Sequence, residues 1–244
     1  MSVNLAHDSA NRPFDPRVIC ALDVPTADEA RALVEKIGDA VGFYKVGLQL
    51  FASDGMTLAR ELKASGAQIF LDWKLHDIGA TVEKATAVLA ESGCDLLTVH
   101  ARPQVMAAAA RGAAGSDLKI LGVTVLTSLT DDDLRADDHS LSAAELVELR
   151  VRQALEAGIH GVVSSPHEAA RVRDCAREAG RDKFLIVTPG VRPAGASLDD
   201  QARAATPAAA LSQGATHLVV GRPITASSDP RAAAQAITRE IAAI

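Results

Sequence analysis

Acidic and basic side chains alternate where short β-branched runs end in the N-terminal part of this chain. Asp23 follows VICAL, Lys45 lies within FYKVG, Asp72 and Lys74 lie in FLDWK, and Asp77 stands three residues further on. Grouping such charges is costly unless they pair, and Leu or Val would pack with less cost, so the cluster reads as chemistry. It supplies a field that acts on a charged substrate and an ammonium that can deliver a proton. Asp72 and Lys74, two apart, point the same way on a strand. Lys45 and Lys74 would repel a divalent cation from Asp23, Asp72 and Asp77, so no metal is expected.

A second group lies near the C-terminus. In VVGRPIT, residues 219–225, the amides of Gly221 and Arg222 and the Arg222 guanidinium suit a phosphate group. The alternative is a tight turn at Gly221 with Arg222 capping a helix. The Gly/Pro-rich stretch TPGVRPAGASLDDQ carries Arg192 and Gln201. It reads as a loop that closes over the phosphate and excludes water, rather than a surface insertion. His100 ends LLTVH and is either a base or a satisfied rim histidine, while His76, beside Asp77, shapes the loop.

These side chains need a frame that brings them together. From residue 18 onward, short aliphatic runs alternate with Ala-rich stretches of helical period, the pattern of repeated βα units. Strands are expected at 18–24, 42–48, 67–73, 95–100, 119–126, 160–164, 183–188 and 216–221. TADEARALVEKIG, TVEKATAVLAESG, SAAELVELRVRQALEAG and PHEAARVRDCAREAG read as helices, each with Gly just past its end. Eight evenly spaced units in 244 residues predict an α/β fold, a single-domain (β/α)8 TIM barrel over 18–244. Residues 1–17 are expected to be an N-terminal extension against the barrel bottom. Active sites of such barrels lie at the strand C-termini and often bind phosphate after strands 7 and 8, where both groups fall.

Composition narrows the partners. Hydrophobic residues make up 48% and charged residues 23%, which excludes a disordered chain. With 25 Lys and Arg against 31 Asp and Glu, the net charge of -6 leaves no basic surface for nucleic acid. Three scattered cysteines, Cys20, Cys94 and Cys175, form no disulfide or zinc pattern and fit a reducing cytoplasm. The N-terminus has no apolar targeting segment, and no stretch approaches membrane-spanning length.

The stretch FLDWKLHDIGAT, residues 70–81, resembles the D-x-K-x-x-D-I-x-x-T signature of the orotidine 5'-phosphate decarboxylase family. ALDVP at 21–25, YKVG at 44–47, VTVLTSL at 123–129, TPGVRP at 188–193 and VVGRPIT at 219–225 are similar to that family's blocks, in its order. The resemblance implies decarboxylation of orotidine 5'-phosphate to UMP, the last step of de novo pyrimidine synthesis, with no cofactor. It implies that Lys74 donates a proton to C6 and that Asp72 sits beside the substrate carboxylate, with Lys45 and Asp77 completing the charge array. It further implies a homodimer with shared sites, in which Asp77, Ile78 and Thr81 reach the neighbour's site. Asp23 and Lys45 would contact the ribose hydroxyls, Thr127 would read the base, and Arg192, Gln201, Gly221 and Arg222 would grip the phosphate. Two alternatives remain: a metal-dependent sugar-phosphate decarboxylase or hexulose-phosphate synthase of the same superfamily, and a non-catalytic barrel that binds a phosphorylated ligand.

Overall fold

The computed structural model describes residues 14–193, 205–242 and 244. Eight parallel strands close into a barrel in chain order, with β8 pairing back onto β1 through Val18 opposite Leu218 and Ile19 opposite Val219. The strands are β1 (Val18–Ala21), β2 (Phe43–Gly47), β3 (Gln68–Leu75), β4 (Leu96–His100), β5 (Lys119–Val123), β6 (Gly161–Val163), β7 (Leu185–Thr188) and β8 (His217–Val220). Each falls on an expected run, and the (β/α)8 class is borne out.

Helices alternate with the strands. They are α1 (Ala27–Ile37), α2 (Leu48–Phe51), α3 (Gly55–Ala64), α4 (Gly79–Ala90), α5 (Pro103–Gly112), α6 (Asp131–Ala136) and α7 (Ala143–Glu156), then α8 (Ala169–Glu178), α9 (Pro207–Ser212), α10 (Arg222–Thr225) and α11 (Pro230–Ala242). Local sequence sets their ends. The Thr26 hydroxyl accepts from the Glu29 N–H to open α1, and Ser142 and Glu145 form a reciprocal capping box on α7. Of the four glycines expected just past helix ends, Gly38 caps α1 itself, and Gly158 and Gly180 directly follow the capping residues of α7 and α8. Gly93 stands further out, and it, Gly158 and Gly180 take the left-handed conformation that turns the chain back toward the next strand.

Side chains alternate between two apolar layers. Val18, Cys20 and Leu22 belong to the core between strands and helices, whereas Ile19, Ala21, Phe43, Phe70, Leu96, Leu121, Val187 and Val219 form a separate cluster inside the barrel. The inward row of β2 runs Phe43, Lys45, Gly47, that of β3 runs Gln68, Phe70, Asp72, and that of β4 runs Leu96, Thr98, His100. In each row an apolar side chain of the inner cluster, Phe43, Phe70 or Leu96, is followed two residues on by a charged or hydroxyl-bearing one. One pleat therefore fills the core and aims the charges.

Two strands, β1 and β5, end three residues earlier than their sequence suggests. After Ala21 the backbone pairs once more, Leu22 N–H to Lys45 O at 3.0 Å, and Asp23 then leaves the ladder ahead of Pro25, which has no N–H to offer. β5 stops at Val123, and beyond it Thr124 binds the Val163 carbonyl through both its N–H and its hydroxyl. β3 instead runs two residues past its expected end. Before β1, Asp15 and Arg17 pair at 2.7 Å, and the Phe14 ring lies where a Cβ on Gly42 would stand.

Candidate active site

The four charges meet at the C-terminal mouth of β1, β2 and β3. Lys45 Nζ lies 2.8 Å from Asp23 Oδ1 and 3.5 Å from Asp72 Oδ2, and Lys74 Nζ lies 2.9 Å from Asp72 Oδ1. The order Asp23, Lys45, Asp72, Lys74 alternates without a like-charged contact, which is how these groups tolerate partial burial. Lys45 is the most enclosed, with 7% of its surface exposed, so its ammonium depends on the two carboxylates that flank it.

Asp72 is governed by opposing effects. Burial pushes its carboxyl up, but Lys45, Lys74 and hydrogen bonds from Lys74 and Thr98 outweigh it and hold the group below the ordinary carboxylate value. It is ionised at neutral pH. Thr98 was not singled out in the sequence, because a threonine in a strand reads as an ordinary β-former. Its hydroxyl donates to Asp72 Oδ1 at 3.0 Å.

The rule that residues two apart share a strand face accounts only in part for the Asp72–Lys74 contact. Lys74 has φ +50°, the left-handed region, and the β3–β4 register shifts between Leu71 and Leu75. The two side chains meet across a local irregularity. Gly47 has a spatial reason to be glycine, since a Cβ there would stand 2.9 Å from both Asp23 Oδ1 and Lys45 Nζ.

A cavity of about 720 Å³ opens beside the array. Asp23, Lys45, Asp72 and Lys74 line it together with Thr127, Arg192, Gly221 and Arg222. The two groups read from the sequence thus face one space, the cations of the second group lying on its β7 and β8 side. Gly221, with φ −102°, needs no left-handed freedom, and a Cβ there would meet nothing nearer than Ala21 Cβ at 3.8 Å. Packing within the chain does not demand glycine there. The loop after β7 is pinned at its base, where Val191 bridges Ala205 and the Arg192 N–H donates to Ala205 O at 2.9 Å. Gln201 lies outside the described residues.

Asp77, Ile78 and Thr81 do not line this cavity. They are exposed at the start of α4, where Asp77 Oδ1 accepts from the Ile78 N–H at 2.6 Å and Ile78 is 72% exposed. The rings of His76 and His100 stand 5.1 Å apart and neither residue lines the cavity, and burial, then His76 and nearby cations, lowers the His100 pKa. Cys20, behind β1, is pushed up to about 12 by burial and then Asp23, which leaves it an inert thiol. Among the described residues, no group of three or more His, Cys, Asp or Glu side chains could hold a metal ion. None of their helices is long and apolar enough to cross a membrane.

Residues 16–237 match the model of the "Orotidine 5'-phosphate decarboxylase / HUMPS family". The chain is 66% identical over 230 residues to the orotidine 5'-phosphate decarboxylase of Caulobacter vibrioides (strain NA1000 / CB15N), covering 94% of this chain and 99% of that protein. It is 54% identical to the enzyme of the same name from Cereibacter sphaeroides, covering 93% and 97%. The crystal structure of orotidine 5'-phosphate decarboxylase from Lactobacillus acidophilus superposes with a TM-score of 0.80 at 39% identity, covering 93% of this chain and 99% of the other. The chain therefore belongs to the orotidine 5'-phosphate decarboxylase / HUMPS family.

Proposed function

We propose that this chain is an enzyme that converts orotidine 5'-phosphate to UMP and CO2, the final step of de novo pyrimidine synthesis. The observation that carries this is the unbroken ladder Asp23, Lys45, Asp72, Lys74 at the rim of a cavity whose other side bears Arg192, Gly221 and Arg222. Breaking the bond from C6 to the carboxylate leaves an electron pair in the ring plane, out of reach of the π-system. The protein must stabilise that pair by charge. Lys74 does so with an ammonium placed at C6, and then passes one of its protons to that carbon.

Asp72, ionised and rigidly held, faces the substrate carboxylate and disfavours the ground state relative to the product side. Asp23 and Lys45 hold the ribose hydroxyls, and Thr127 reads the base. Arg192, Gln201, Gly221 and Arg222 hold the phosphate, whose binding energy fixes the ring against the charges. The room left beside Gly221 supports a phosphate at that point.

The same proposal includes a homodimer with shared sites. Asp77, Ile78 and Thr81 lie outside their own cavity, and Ile78 and Val88, near the two ends of α4, are 72% and 67% exposed, apolar side chains suited to burial against a second copy. The enzyme works in the cytoplasm, in keeping with three free, buried cysteines.

A metal-dependent sugar-phosphate decarboxylase or hexulose-phosphate synthase does not fit, because the Lys45 ammonium bridges the two carboxylates that a cation would need. Loss of orotidine 5'-phosphate absorbance, followed with and without EDTA, tests the proposal. Turnover that survives chelation supports it. Turnover abolished by EDTA, or none on this substrate, overturns it in favour of the metal-dependent activity or of a ligand-binding barrel.

A further inference from the structure

We propose that Thr98 is a positioning residue for the decarboxylation, setting the Lys74 ammonium through both the backbone of Lys74 and the carboxylate of Asp72. The inference rests on Lys74 being the proton donor. The Thr98 hydroxyl accepts from the Lys74 N–H at 3.0 Å and donates to Asp72 Oδ1 at 3.0 Å, and the same Oδ1 accepts from Lys74 Nζ at 2.9 Å. These bonds form a closed ring that begins and ends on Lys74. One hydroxyl serves as acceptor and donor at once, and a threonine has this capacity where valine has none.

The ring matters because of where Lys74 sits. β3 follows β4 in register up to Leu71 opposite Leu97, and resumes with Leu75 opposite Val99. Between these points β3 uses four steps where β4 uses two, and Lys74 takes φ +50°. A long side chain seldom adopts that conformation unless its surroundings over-determine it. Thr98 supplies the hydrogen bond that the shifted ladder does not, from a strand buried on both faces. It is fully buried and does not line the cavity, so it acts through Lys74 and Asp72 rather than on a substrate.

Four variants, each checked for folding by circular dichroism and melting, test this by steady-state kinetics and UMP binding. Thr98→Val keeps the shape and removes the hydroxyl. It is expected to lower kcat about 10- to 100-fold, the range for a hydrogen bond to a charged group, with KM and UMP affinity changed by less than about threefold. Thr98→Ser, which keeps the hydroxyl, is expected to retain most of kcat, and Thr98→Ala to fall below it by the same factor as valine falls below threonine. If valine at this position prevents folding, the Ser and Ala pair decides.

Unchanged kcat in Thr98→Val, or equal loss in Ser and Ala, overturns the positioning role. A loss carried by KM and UMP affinity instead of kcat overturns it as well. Lys74→Ala is the fourth variant: if it retains turnover, the assignment of Lys74 fails and Thr98 falls with it, whereas an inactive Lys74→Ala with an indifferent Thr98→Val refutes Thr98 alone.

Discussion

Asp72 and Lys74 are ion-paired at 2.9 Å across a single intervening residue, Trp73, whose own side chain is buried on the opposite side of the strand, in the core between strands and helices. The pair is therefore part of the barrel wall and not of a loop. The donor is held ready before any ligand arrives, as electrostatic preorganisation requires.

Lys74→Ala is expected to abolish turnover while leaving the melting temperature and UMP binding close to wild type. The lost ammonium serves the developing carbanion and its protonation more than it serves the ground state. Near-normal kcat in the variant removes Lys74 from its role.

At the phosphate end, Arg222→Ala is expected to weaken phosphate-bearing ligands by about 2 to 4 kcal/mol, the span for truncating one partner of a desolvated charge pair. The nucleoside uridine serves as the comparison. If uridine binding drops by as much as UMP binding, Arg222 supports the fold instead of the phosphate.

A test of the shared site uses two dead proteins. Lys74→Ala and Asp77→Ala chains are each expected to be inactive, yet in a mixed dimer one site carries both defects and the other carries neither. Random exchange makes half the dimers mixed, so recovery is expected to approach about a quarter of wild-type activity, as two-fold isologous sharing requires. Proven exchange without recovered activity places Asp77 in its own chain's chemistry.

Acid stability is expected to depend on His217. Burial, then Lys119, lowers its pKa from 6.5 to about 4, with Asp15 pulling the other way. Above pH 6.5 the ring is neutral in both states and contributes no pH dependence. Between 6.5 and about 4 the unfolded chain takes up a proton that the folded chain refuses, so stability falls as pH falls, by up to about 3 kcal/mol. Burial also lowers His100 and His160, which adds in the same direction. Asp72 contributes with a different window, because its lowered pKa confines its loss to pH below the ordinary carboxylate value. Melting temperatures from pH 7.5 to 4.5 should fall less steeply in His217→Gln than in wild type, and parallel curves refute the assignment.

Much of this was legible in the sequence because the determinants are periodic. Alternation by two along VICALDV, FYKVG and FLDWK places the apolar and charged residues on one inward row, so the meeting of Asp23, Lys45 and Asp72 follows from spacing, and that of Asp72 with Lys74 only in part. What escaped was aperiodic. The left-handed backbone at Lys74 leaves no mark on residue type, since lysine has no preference for it. Thr98 carries its meaning in a hydrogen bond across strands, and Gly47 in a distance to an ion pair whose carboxylate, Asp23, lies on another strand's end. The strand ends at Ala21 and Val123 were overrun because hydrophobicity continues after the ladder stops.

The shared inward row also decides which changes of chain length this barrel tolerates. Deleting or inserting one residue between Phe43 and Lys45, or between Phe70 and Asp72, turns the later residue out toward the helices and brings a helix-facing neighbour into the lumen. Three strands contribute to the ladder, so each is separately intolerant of such a slip. Connections at the other end of the barrel, such as the turn at Gly66 between α3 and β3, lie far from the charges and can lengthen without moving any of them. Length variation among sequences built on this plan should therefore gather at the strand N-termini, and be excluded from the few residues that separate each core aromatic from its charge.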